Sequence, residues 1–234
     1  DTTLDISVED AAQKTIILVT LSFFKHAVIE NIYFEGIDKV TPQDINFGKQ
    51  LELILKPLSV GQLSEDKITL GSFPAFVKEK SLLASIENES NAVLMNAENV
   101  GETMYAGPGA GAKPTSNSVL SDIIDIATGK IFDYQKFVES PLASSFENFS
   151  CDHYLRFIVS DEPGVVAKIS TVLAANNLSI DNLIQNELDR EDDAIPLVIV
   201  ISNSKEKIMQ NTISDLQKLP EVKNSISHIR ILDI

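Results

Sequence analysis

The residue pattern from His153 onward constrains the fold most, because it spells a complete supersecondary plan in a short span. His153 to Val159 reads as a strand, and Asp161-Glu162-Pro163 introduces a helix over Gly164 to Ala175. Strands follow at Leu178 to Asn186 and Ala194 to Ser202, then a helix at Lys205 to Leu219 and a last strand at Val222 to Leu232. This βαββαβ order predicts a four-stranded sheet packed against two helices over residues 153–234, a ferredoxin-like arrangement in the α/β (α+β) class. The alternation in Val222, Ser225, Ile226, Ile229 and Ile231 is imperfect, so the ends of the last strand are the least defined.

Residues 1–130 carry a different and less complete plan, expected to form a mixed-sheet lobe. From Val8, Ala11, Ala12, Thr15, Ile16, Val19 and Phe23 recur at helical spacings. Thr41-Pro42-Gln43-Asp44 announces a second helix, with Thr41 as cap and Pro42 at the first helical position. Leu51 to Val60 and Ile68 to Val77 read as strands, Ser81 to Ile86 as a helical turn, and Asn91 to Asn96 and Glu102 to Ala106 as two further strands. The glycine-rich loop Gly107-Pro108-Gly109-Ala110-Gly111 then leads through Pro114 into a helix near Ser116 to Thr128, which Gly129 can terminate. Residues 131–152 lack sustained periodicity and are expected to be a linker.

Thirty-four acidic residues against 19 basic ones give a formal net charge of -15. Such a field repels phosphate and argues against nucleic-acid or anionic-membrane partners. The apolar run Ile16 to Phe24 is too short to span a bilayer, and the acidic residues before it do not suit a signal peptide. The one cysteine, Cys151, cannot form an internal disulfide, which favours a reducing, cytoplasmic compartment and a structural thiol. No metal site is expected. The chain opens without methionine on a polar stretch, as expected of the back part of a longer intracellular protein.

Two features of the first lobe can carry chemistry. Asp10 and Lys14 stand four residues apart on the first predicted helix, roughly 6 Å along its axis, with Asp5 just upstream. Spacing alone fits an ordinary surface ion pair, yet a lysine can move a proton while a carboxylate orients a substrate. The Gly107 to Gly111 loop removes side chains so that backbone can approach a ligand or a neighbouring element. It matches neither G-x-G-x-x-G nor a Walker A motif, because Pro114 follows Lys113. A tight structural turn and a phosphate or cofactor contact both remain open for it.

Residues 5–130 resemble the substrate and dimerisation region of homoserine dehydrogenases. The resemblance rests on Asp5-x4-Asp10-Ala11-Ala12-x-Lys14, Glu35-Gly36-Ile37, Thr41-Pro42-x-Asp44-Ile45, Asn91-Ala92-Val93 and, most specifically, Gly107-Pro108-Gly109-Ala110-Gly111-x2-Pro114-Thr115. Val8 departs from the family, which usually has glycine between the two aspartates. The resemblance implies an oxidoreductase of amino-acid biosynthesis that interconverts L-homoserine and L-aspartate 4-semialdehyde with NAD(P). It maps the catalytic lysine onto Lys14, the substrate-site aspartates onto Asp5 and Asp10, and the wall of the cofactor crevice onto Gly107, Gly109, Gly111 and Thr115. The family's dinucleotide-binding domain lies upstream and has no counterpart in these residues, so the chain alone is expected to be inactive.

Residues 153–234 resemble an ACT domain through Asp161-Glu162-Pro163-Gly164-Val165-x2-Lys168-Ile169 and Asn177-Leu178-Ser179-Ile180. Such domains commonly pair and bind amino acids at their interfaces, which makes Asp161, Gly164 and Asn182 expected effector contacts and threonine the first expected effector. A homo-oligomer is expected, since exposed edges of small sheets can continue across subunits. The competing reading is a non-catalytic amino-acid-binding and oligomerisation module.

Overall fold

The computed structural model describes residues 9–88, 90–130, 138–139, 144–186 and 194–234. The first helix, α1 (Glu9–Phe23), is followed by the short strands β1 (Lys25–His26) and β2 (Ile32–Phe34), then helix α2 (Pro42–Gln50). A long hairpin, β3 (Leu53–Ser64) and β4 (Lys67–Lys78), leads to a second hairpin, β5 (Ser90–Ala97) and β6 (Gly101–Pro108), and to helix α3 (Ala112–Ala127). Beyond the two-residue β7 (Val138–Glu139), the terminal elements are β8 (Ser150–Ser160), α4 (Val165–Ala175), β9 (Ile180–Gln185), β10 (Ala194–Lys205), α5 (Glu206–Leu216) and β11 (Ser227–Leu232).

The terminal elements take the βαββαβ order read from the sequence, with strands arranged β11-β8-β10-β9. Their sheet does not stop at β11. Arg230, Ile231 and Leu232 pair in parallel with Ala75, Phe76 and Val77 of β4, and β2 pairs with the other half of the same edge at Leu70, Gly71 and Ser72. With β3 antiparallel to β4 along its full length, seven strands form one continuous mixed sheet. β4 is buried from Ile68 to Val77, as its nearly unbroken apolar run requires of a strand covered on both faces.

Two layers flank the terminal half of this sheet. Helices α4 and α5 cover one face, where Leu155, Phe157, Ile169, Leu173, Leu197, Ile199, Met209 and Leu216 form a core. The opposite face is covered by α2 from the first lobe, through Phe47 against Phe76, Tyr154, Val198, Val200 and Ile231. Gly48 of α2 lies directly over the Phe76 ring, where a Cβ would find no room. The end of the expected linker differs from expectation: Phe146 and Phe149 are buried with Phe73, Ala75 and Cys151 at the join of the two lobes. Two phenylalanines three residues apart in an otherwise aperiodic segment are too few to give a strand or helix pattern, although burying them accounts for the aromatic content there. Residues 131–137 and 140–143 of that span lie outside the described residues.

The β5–β6 hairpin and α3 stand apart from the large sheet, and none of their described residues is buried. Along α3, Val119, Leu120, Ile123, Ile124 and Ile126 are exposed. Its C-terminus closes as a Schellman motif: the Lys130 N–H donates to Asp125 O at 2.9 Å, Gly129 N–H donates to Ile126 O at 3.1 Å, and Gly129 has φ +71°. No helix among the described residues is long and apolar enough to cross a membrane.

Candidate functional site

Helix α1 turns Ala12, Thr15 and Val19 toward Ile32, Ile68 and Leu70, which fixes the opposite face outward. Asp10 and Lys14 lie on that outer face and form the expected pair, with Lys14 Nζ donating to Asp10 Oδ2 at 2.6 Å. Their side chains are 62% and 53% exposed, so water screens the pair and its contribution to folding is small. Ile17, Leu18 and Leu21 continue the same exposed stripe by one to two turns. Asp5 lies outside the described residues.

The glycine segment occupies the junction of β6 and α3. Gly107 pairs with Asn91 across the hairpin, and nothing lies within 4 Å of where its Cβ would be. Gly109 packs against the Asn91 side chain so closely that any Cβ would collide with the amide. Gly111, at φ +124°, caps α3 without a side chain, and its carbonyl accepts the first helical bond from Thr115 N–H at 3.1 Å. Gly109 and Gly111 therefore have local structural reasons to be glycine, whereas Gly107 leaves open backbone. Among the described residues, Lys14 is bonded to Asp10 rather than to any part of this segment.

In the terminal domain a cavity of about 320 Å³ opens where β8 turns into α4. Asp161 and Gly164 line it together with Ser160, Val165 and Leu197. Gly164 adopts φ +94° and places no side chain over the start of α4, so first-turn N–H groups can face an anionic ligand. Asn182 is not brought to this cavity: it pairs with Val200 in the middle of β9. Gln185, three residues along β9, lines the cavity instead. The odd separation places it on the opposite strand face from Asn182, a distinction of register that the strand boundaries read from sequence could not fix.

Sequence reasoning also missed the polar joints that clamp the lobes. On one face, Asp44 of α2 receives Arg156 of β8: Nε donates to Oδ1 at 2.7 Å and Nη2 to Oδ2 at 3.1 Å. Burial alone would raise the Asp44 carboxyl, but hydrogen bonds from Arg156 and Thr41 outweigh it and hold it below the ordinary carboxylate range. At the other joint, Arg230 of β11 donates through Nε and Nη2 to both Glu206 oxygens, at 3.0 and 2.6 Å. Its Nη1 reaches Glu35 at 3.0 Å, and its guanidinium lies over the Phe73 and Tyr33 rings at 4.6 and 4.8 Å. His153, Glu206 and His228 place possible metal-ligand atoms within 4.8 Å of one another. With both Glu206 oxygens held by a guanidinium, a cation there would meet the charge of Arg230, and the group is a hydrogen-bonded joint instead.

Comparison with known proteins accounts for this combination of parts. The family model for homoserine dehydrogenase matches residues 1–124, more than half of the chain, and that for the ACT domain matches residues 153–221. The chain belongs to the homoserine dehydrogenase family. It is 35% identical to the homoserine dehydrogenase of Helicobacter pylori over 97% of its own length and 54% of the relative's. It is 33% identical to that of Bacillus subtilis, over 96% and 54% of the two chains. A homoserine dehydrogenase structure from Thiobacillus denitrificans superposes on the whole chain with a TM-score of 0.91 at 30% identity, covering 55% of that chain. The chain thus spans about half the length of the homoserine dehydrogenases it matches.

Proposed function

We propose that residues 1–130 supply the substrate and dimerisation part, and residues 153–234 the regulatory part, of an NAD(P)-dependent enzyme interconverting L-homoserine and L-aspartate 4-semialdehyde. The observation carrying this reading is the Lys14–Asp10 pair, held on the open face of a helix whose other face is buried, within the span of the family match. When bound, NAD(P) would supply the hydride acceptor for homoserine oxidation. The chain's own residues manage charge and protons: Lys14, as the free amine, takes the hydroxyl proton during oxidation, and as the ammonium returns one to the forming alkoxide during reduction. Asp10, with Asp5, engages the substrate ammonium and orients the hydroxyl toward Lys14 Nζ.

The fit to the cofactor is partial. Open backbone at Gly107, beside the turn fixed by Gly109 and Gly111, suits a crevice wall formed with Thr115. The large sheet, with only its β2–β4 and β4–β11 pairings parallel among the described strands, is not a dinucleotide-binding sheet. Most of the cofactor contact then falls to an upstream domain, and the apolar face of α3 is where such a domain would pack. The cavity at Asp161 and Gly164, with Gln185 in place of Asn182, would take a pathway amino acid, threonine first. β9 ends the sheet and offers an edge for a homo-oligomer.

Homoserine-dependent reduction of NAD(P)+ tests the assignment. The 234-residue chain should show none above its Lys14→Ala control, and the same residues preceded by a dinucleotide-binding domain should show it. Activity of the isolated chain, or its absence from the extended protein, would overturn the reading.

A further inference from the structure

The joint around Arg230 contains a histidine pair whose protons are fixed from both ends. Gln210 Nε2 donates to the Glu206 carboxylate at 2.7 Å, and a carboxylate can only accept, so the same NH2 group faces His228 Nδ1 at 3.4 Å as a donor. His228 Nδ1 must therefore be the bare nitrogen, and His228 Nε2 carries the hydrogen that it donates to His153 Nδ1 at 2.9 Å. His153 Nε2 then carries its own hydrogen and donates to the Ser204 carbonyl at 3.1 Å. Starting from the Ser204 carbonyl, which also can only accept, gives the same order. Both rings are neutral, and neither bare nitrogen is free.

This order leaves no place for another proton. On His153 Nδ1 it would oppose the N–H of His228. On His228 Nδ1 it would oppose the Gln210 amide, and turning that amide would set its oxygen against Glu206. The charged groups around the pair act on the added charge as well. Arg230 bears on both rings and opposes it; Glu206 beside His153 and Glu35 near His228 favour it, but both carboxylates are already bonded to Arg230. Cys151, with its sulfur 3.9 Å from His153 Nε2, is held protonated by burial. Withdrawal from water and the Arg230 charge lower His228 well below the ordinary histidine range, and burial lowers His153.

We propose that His153 and His228 form a proton-operated latch on the joint between β2 and the terminal sheet, closed while both rings are neutral and opened by uptake of a proton. Opening acts through Arg230, two residues from His228 on the same face of β11, which holds the Tyr33 hydroxyl of β2 and Glu35 just beyond that strand at 3.0 Å each. Because both histidines are depressed in the folded chain, the stability they contribute is fully present above the ordinary value of 6.5 and is lost as the pH falls from there toward their folded values.

Imidazole nitrogen spectra of this chain from about pH 7.5 to about pH 5 test the latch, with amide exchange read in parallel. The latch requires the Nε2-protonated tautomer at both rings at neutral pH and no charging of either ring as the pH passes 6.5. When the pair does charge, amide exchange in β2 and β11, corrected for intrinsic pH dependence, should accelerate roughly tenfold while α4 changes little. His228→Gln should abolish that acceleration. An Nδ1-protonated ring, ordinary titration of either ring near 6.5, or charging without faster exchange in β2 would each overturn the proposal. The tautomer measurement needs only the unaltered protein, so it decides even if the variant does not fold.

Discussion

Replacing Asp44 by alanine should be among the most damaging single changes to this chain, although Asp44 is outside the candidate catalytic pair. Its carboxylate is 0% exposed. Besides the two bonds from Arg156, it accepts from the Tyr154 hydroxyl at 3.2 Å and from the Thr41 N–H and hydroxyl at 2.9 and 2.7 Å. Removing it strands a guanidinium whose side chain is 9% exposed, which costs about 3–5 kcal/mol for a broken buried pair. The loss of the α2 capping box adds up to about 1 kcal/mol. Both effects run through one carboxylate and so do not simply add, leaving roughly 4–5 kcal/mol against typical total stabilities of about 5–15 kcal/mol. Urea unfolding at constant m measures it. Adding Arg156→Met to Asp44→Ala removes the stranded charge and should restore all but roughly 1–2 kcal/mol. A loss below about 1 kcal/mol in the single variant, or no recovery in the double, would refute the reasoning. Since the Asp44 carboxyl is depressed when folded, its contribution is present above 3.8 and declines as the pH falls through its lower folded value.

Three further outcomes follow from local geometry. Gly129→Ala should cost roughly 1–2 kcal/mol in urea unfolding, because φ +71° penalises a Cβ even though nothing lies within 4 Å of it. Cys151, buried and with its thiol pushed up to about 12, should resist thiol reagents at neutral pH in the folded chain and react promptly in denaturant. In calorimetry with threonine and related amino acids, Gln185→Ala should weaken binding roughly twofold to tenfold, the loss of one hydrogen bond, whereas Asn182→Ala should leave it unchanged. Equal effects of the two variants would contradict the cavity assignment.

The sequence made the elements legible where one physical signal dominated. The βαββαβ run, the Thr41–Pro42 start of α2 and the Gly129 stop of α3 depend on period, capping and positive φ, all of which are local. The joining of the lobes was not legible, because nothing in the alternation of β11 says that its outer edge meets β4 rather than solvent. No local pattern marks Arg156, Arg230 and Glu206 as buried, because topology brings their counterions from residues far away in the chain. In the candidate site, the Lys14–Asp10 pair could be placed from its four-residue spacing, but Gln185 required the actual register of β9. Glu35 and Asp44 belong to motifs named by the resemblance, and their observed work is to hold Arg230 and Arg156 across the joints.

The central claim is that Lys14 moves a proton in homoserine chemistry, and its exposure makes a clean test possible. In the chain preceded by a dinucleotide-binding domain, kcat/KM for homoserine oxidation should be compared between the unaltered protein and Lys14→Ala, alongside their urea stabilities. The account predicts a loss of roughly 10²–10⁴-fold in kcat/KM, with stability unchanged within about 0.5 kcal/mol because the ion pair is solvent-screened. Homoserine oxidation at full rate in a stably folded Lys14→Ala protein would contradict it.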